Sequence, residues 1–122
     1  MFKLHQKASP ATEAIEYFTA GAELVIGALV AHDGGKIVTN TTKPEYVTLG
    51  NAKNGEVVAV KRIYEDEIYE TKLSAAGSSL KIGDKVTVTA TEATATTTDG
   101  IFEIIAMDGN AKGSKVRGLF RR

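Results

Sequence analysis

Along most of the chain, large apolar residues alternate with polar ones in short runs, and glycine- or asparagine-bearing turns separate the runs. A period of two is the signature of half-buried β-strands. The longest such run, EVVAVKRIY, follows the Asn54-Gly55 dipeptide, a strong two-residue hairpin signal. It places Val57, Ala59, Lys61 and Ile63 on one face and Val58, Val60, Arg62 and Tyr64 on the other. Both faces begin apolar, which predicts a strand crossing the centre of the fold.

The acidic run Glu65-Asp66-Glu67 turns the chain into IYETKL, where Ile68, Glu70 and Lys72 alternate with Tyr69, Thr71 and Leu73. Upstream, Asp33-Gly34-Gly35 between LVAH and KIV predicts a hairpin, and Tyr46, Val47 and Leu49 predict a short strand after Pro44. Downstream, LKIGDKVTVTA and IFEIIAM predict further strands, the second with Phe102, Ile104 and Ala106 on one face and Ile101, Glu103 and Ile105 on the other. A terminal strand carries Val116 and Leu119 or Phe120 inward. Residues 91–98, TEATATTT, hold no large side chain and read as an exposed edge strand or solvated loop outside the core.

The N-terminus behaves differently. Residues 1–14 mix Lys, His, Gln, Ser and Pro with only Phe2 and Leu4 as large apolar side chains, and show neither period. They read as an extended arm, leaving residues 15–122 as the body. Across residues 11–20, Ala, Glu and Ile favour a helix while Tyr17, Phe18 and Thr19 favour a strand, and both readings stay open.

At 122 residues and 13.0 kDa there is room for one core. Abundant Thr, twelve Gly and only two Pro suit many short strands. Fifteen basic and fifteen acidic residues cancel, so no long-range attraction to nucleic acid or an anionic membrane is expected. The absence of Cys removes disulfides, thiolate nucleophiles and zinc–thiolate sites. The N-terminus MFKLHQKASP has no apolar stretch of signal-peptide length and no window approaches the ~20 apolar residues of a membrane span, so the chain reads as soluble and not exported.

Candidate chemistry is sparse. His5 and His32 sit in no HExxH, GxSxG or GxxxxGK[ST] arrangement, and Asp33 beside His32 is better explained as turn chemistry than as an acid–base partner. Glu65, Asp66, Glu67 and Glu70 lack the spaced aspartates of a calcium loop and read as a solvated corner. No catalytic residue, cofactor or metal is expected, and the chain reads as a protein-binding domain and not an enzyme. The side chains expected to meet a partner are Phe2 and Leu4 in the arm, Tyr64 and Tyr69 flanking the acidic corner, and Arg121 and Arg122 at the basic tip.

Taken in order, PATEAIEYFTAGAEL, GALVAHDGGKIV, TTKPEYVTLG, VVAVKRIYEDEIYETKL, LKIGDKVTV, DGIFEIIAMDG and KVRGLF resemble the layout of head decoration, or capsid-stabilising, proteins of tailed bacteriophages. The likeness covers most of residues 9–120 and rests on size, layout and turn placement, with no active-site residue to carry over. It implies a β-barrel or β-tulip-like sandwich made in the host bacterial cytoplasm and seated on the outer surface of the virion's capsid. It further implies a homo-oligomer, with a trimer favoured, whose arm lies across neighbouring major capsid subunits and stabilises them. A rival is a small OB-like or SH3-like barrel binding peptide or nucleic acid, which a basic stripe would favour. A small enzyme subunit would need a buried polar pocket around His32 or the acidic corner.

Overall fold

The computed structural model describes residues 1–7 and 15–121, in which ten strands form two antiparallel sheets of five. Sheet A takes β1 (Lys3–Lys7), β7 (Glu67–Lys72), β10 (Lys115–Phe120), β9 (Phe102–Met107) and β8 (Lys85–Val86), in that spatial order. Sheet B takes β2 (Ile15–Thr19), β6 (Val57–Arg62), β5 (Tyr46–Thr48), β3 (Leu29–Asp33) and β4 (Lys36–Thr39). The chain crosses from B to A at the corner between β6 and β7.

The expected sandwich fits, and no closed barrel forms among the described residues. Sheet B does curl: an isolated parallel bridge joins Ala20, just past β2, to Ile37 of β4. That curl gives sheet B an apolar interior of its own, holding Val30, Ile37, Tyr46, Val58 and Val60. Its other face carries Leu29 and Val47 into the main core against Tyr69, Phe102, Ile104, Val116 and Phe120 of sheet A. Sheet B is thus buried on both faces at its centre, which is why β6 is apolar on both.

Four rings fill the main core. Phe102 and Phe120 lie 5.1 Å apart, Phe2 sits 5.6 and 5.5 Å from them, and Tyr69 lies 5.4 Å from Phe120, all edge-on or tilted. Such geometry favours contact between ring edges and faces. Of the pair left open at the C-terminus, Phe120 points inward and Leu119 is half-buried.

Pairing places the N-terminal segments. The described part of the N-terminal arm is β1, the edge strand of sheet A, paired with β7 from Lys3↔Glu70 to Lys7↔Glu67. Residues 8–14, with the expected boundary between arm and body, lie outside the described residues. Phe2 is fully buried because its N–H donates to the Gly27 carbonyl at 2.9 Å, seating the ring in the core. Residues 15–19, where helix and strand competed, are strand β2.

In β9 a bulge interrupts the alternation: Gly118 pairs with Ile104 but Arg117 pairs with Ala106, leaving Ile105 extra. The parity flips there, so Met107 and not Ala106 follows Ile104 toward the core. Within the Thr-rich segment, Ala93 is completely buried, bridging to both Leu73 and Val88. Its small side chain lets this backbone approach the core that larger residues would hold off.

Candidate interaction surface

Because directly paired residues of antiparallel strands share a sheet face, register defines which side chains line up on sheet B. On the side turned toward sheet A, Ile15 pairs with Lys61, Tyr17 with Ala59 and Thr19 with Val57, while Val47 pairs with Lys61 on the other flank. Leu49 continues β5 beside Ala59, its N–H donating to the Ala59 carbonyl at 2.9 Å. Following this face along β6, Ile63 and Lys61 are buried, Ala59 is half-buried, and Val57 is 65% exposed. Sheet A therefore covers only one end of it.

Beyond that cover lies an apolar strip of Ile15, Tyr17, Val57 and Leu49, with Tyr17 66% exposed. Full burial of one such side chain contributes ~1.5–3 kcal/mol. With roughly half of each still accessible, the four together offer about 3–6 kcal/mol, before association costs, to anything that covers them. The strip ends at a groove of about 140 Å³, lined by Met1, Leu4, Ile26, Leu49, Lys61 and Tyr69 among others.

At the base of that groove sits a buried ion pair. Lys61 Nζ donates to Glu67 Oε1 at 2.6 Å, to the Arg62 carbonyl at 2.7 Å and to the Tyr69 hydroxyl at 3.0 Å. Glu67 Oε1 also accepts from the Tyr64 N–H at 3.0 Å and the Tyr69 hydroxyl at 3.1 Å. Lys61 and Glu67 are only 4% and 3% exposed, and no fully buried side-chain nitrogen or oxygen of the pair lacks a partner. The network closes the corner between the sheets, fixing the turn that feeds β7.

The residues expected to meet a partner are scattered by this geometry. Phe2 lies in the core, and Leu4 packs half-buried against the same cluster. Tyr69 is completely buried, because residues 67, 69 and 71 of β7 face inward, whereas Tyr64 on the corner is about half exposed. Arg121 is exposed, with its Nε 3.6 Å from Glu103 Oε1 and its Nη1 donating to the Glu65 carbonyl at 3.1 Å. Arg122 lies outside the described residues. Sequence reasoning missed the strip, because alternation does not show that Tyr17 and Val57 lie beyond the cover of sheet A.

The acidic corner is not one site. Glu67 turns inward to Lys61, while Glu70 turns to the outer face of sheet A, where Lys3 Nζ and Arg117 Nε approach it at 3.3 and 3.2 Å. Burial pushes the Glu70 carboxyl up, and these two cations more than reverse that, leaving it below its ordinary value of 4.5. Among the described residues no group of three or more His, Asp or Glu side chains could hold a metal ion. His32 stacks edge-on against Phe18 and Tyr46, its Nε2 3.0 Å from the Tyr46 hydroxyl. Arg62 Nη2 donates to that same hydroxyl at 3.0 Å. Burial raises the Tyr46 phenol above its ordinary value of 10.0, with Arg62 acting against the shift.

No family model and no curated protein matches the chain. Among solved structures, the head fiber gp8.5 N base of bacteriophage phi29 is similar over 89% of this chain and 94% of that one, with a TM-score of 0.61 and 20% identity. The two-sheet fold of this chain is thus the fold of a phage head fiber base.

Proposed function

We propose that the chain is a non-enzymatic structural protein of a phage virion, which sits on the outer capsid surface and stabilises the shell by clamping neighbouring major capsid subunits. The observation that carries the reading is the likeness to a phage head fiber base across nearly the whole of both chains. The uncovered apolar strip on β2 and β6 supports a role in assembly, since large apolar side chains clustered on a sheet face mark contact surfaces.

The strip carries no charge, and β2 is an edge strand of sheet B whose ladder partner is β6. Obligate contacts between copies are the most apolar class of interface, so the strip suits self-association; the trimer is what the resemblance to head decoration proteins implies. Stabilisation follows from mass action: a protein that binds only the assembled shell lowers that state's free energy in proportion to occupancy.

The test pairs light scattering on the purified chain with co-sedimentation on undecorated, expanded phage shells. A discrete oligomer that saturates the shells and delays their thermal disruption is the expected result. A monomer that sediments with no shell would overturn the reading and favour a free-standing peptide- or nucleic-acid-binding module.

A further inference from the structure

The chain is neutral overall, but the register of sheet A does not distribute its charge evenly. On the face turned away from sheet B, one row across the strands runs Lys3, Glu70, Arg117, Ala106. A second joins Leu119 to Glu103 and Lys85, and a third is the directly opposed pair Lys72↔Lys115. Arg121 reaches the same face through Glu103. Six cations therefore stand against two carboxylates, Glu70 and Glu103, and each carboxylate is already engaged by an arginine.

Among the described residues, Lys72, Lys85 and Lys115 form no ion pair, and all three are exposed. Two of them, with Lys3, line an open cleft of about 360 Å³ whose rim also holds the carboxylates Glu70 and Glu92, so the three lysines outnumber the acids there by one. Opposed like charges on paired strands destabilise a sheet. The half-buried Ile68, Leu119 and Ala106 lie among the cations, giving an apolar centre within a basic rim, which is the anatomy of a protein-binding face.

We propose that this outer face of sheet A docks against an acidic protein surface, with Lys72, Lys85 and Lys115 as the charges that the partner neutralises. The inference takes from the proposed function only that the partner is a protein shell; the surface and its sign come from the register. A carboxylate-bearing protein fits better than nucleic acid, because the rows carry no aromatic side chain on which bases could stack, and Glu70 and Glu103 would face the phosphates.

The experiment compares the unaltered chain, Lys72→Glu/Lys115→Glu, and Lys36→Glu/Lys43→Glu, the last making the same change of net charge on exposed positions of sheet B and its flanking loop. Each is titrated with poly-L-glutamate, with a single-stranded oligonucleotide, and with expanded phage shells. The expected result is that the first double variant loses polyglutamate and shell binding by roughly tenfold or more, while the sheet B variant stays within about threefold.

Equal loss in both variants would overturn the proposal, since only net charge would then matter. Tighter binding of the oligonucleotide by the unaltered chain would overturn it in favour of a phosphate-binding face. Shells bound equally by all three chains would refute the docking face while leaving the proposed function intact. No shell binding by any chain, with polyglutamate still lost only from Lys72→Glu/Lys115→Glu, would refute the proposed function and leave the basic face supported. Lys115→Glu alone, which sets a carboxylate opposite Lys72, is the second variant in case the double substitution impairs folding; its weaker polyglutamate binding carries the same meaning.

Discussion

Replacing Lys61 with Met tests whether the corner between the sheets depends on its buried charge pair. The substitution removes three donated hydrogen bonds at 2.6, 2.7 and 3.0 Å and keeps the apolar stem. Glu67 would retain the Tyr64 N–H and the Tyr69 hydroxyl but no cation, in a position only 3% exposed. Breaking a buried pair by removing one partner costs about 3–5 kcal/mol, because the remaining charge is left uncompensated. Against a total stability of ~5–15 kcal/mol for a domain, that is a large fraction. At about 4 °C per kcal/mol for a chain of this size, the thermal midpoint should fall by roughly 10–20 °C.

Urea unfolding of the parent, Lys61→Met, Glu67→Met and the double variant measures the effect, with the slope against urea checked for constancy. The double variant should recover most of the loss, since replacing a buried pair with apolar groups is often close to neutral. Loss of less than about 1 kcal/mol in Lys61→Met would refute the reasoning, meaning that water reaching the groove solvates Glu67. A double variant as unstable as the sum of the singles would do the same, because the two charges would then be energetically independent.

Other outcomes follow from the same contacts. Glu70 titrates below its ordinary 4.5 in the folded state, so its contribution is present above that pH and lost as the pH falls through the lower folded value; Glu70→Gln should flatten this part of an acid-unfolding curve. Phe2→Ala should cost about 3–5 kcal/mol in chemical denaturation, since the ring contacts Phe102 and Phe120 in the core, whereas a free arm would leave stability unchanged. Lys115→Glu should raise the unfolding free energy measured in urea by a few tenths of a kcal/mol, to at most ~1 kcal/mol, through a cross-strand pair with Lys72. Tyr17→Arg/Val57→Arg should leave stability within about 1 kcal/mol but dissociate any oligomer seen by light scattering, because both side chains are bare in the single chain.

What the sequence made legible was local. Asn54-Gly55 and Asp33-Gly34-Gly35 marked real turns, with Gly55 at φ 91° and Gly34 and Gly35 at 61° and 84°, where a side chain would be strained. Alternation assigned the faces of β6 and β7 correctly, with Tyr69, Thr71 and Leu73 inward. Which face of β7 met the core was not in the pattern, because the turn from Tyr64 to Glu67 sets the parity, and its bond to a buried Glu67 depends on Lys61 across the corner. For the same reason Tyr64 and Tyr69, five residues apart, ended on opposite sides of the surface. The strand character of residues 3–7 was hidden because an edge strand with one half-buried apolar residue shows no period. The uneven charge of sheet A was invisible to composition, since its rows draw on β1, β7, β8, β9 and β10, which are far apart in sequence.

Sequences that specify a fold agree with it at every level, and the positions where they disagree tend to be functional. By that criterion the interior is consistent: among the described residues the buried charges are paired, and no buried side-chain polar atom lacks a partner. Two outward surfaces depart from that consistency. Tyr17 and Val57 leave apolar area in water where Thr or Lys would serve a lone sheet equally well, and Lys72 opposes Lys115 where one glutamate would relieve the repulsion. Neither arrangement benefits the isolated fold, and they call for different remedies, one an apolar cover and the other negative charge. The two proposed contacts, one between copies and one to an acidic shell, would account for both features, and each would be removed without disturbing the other.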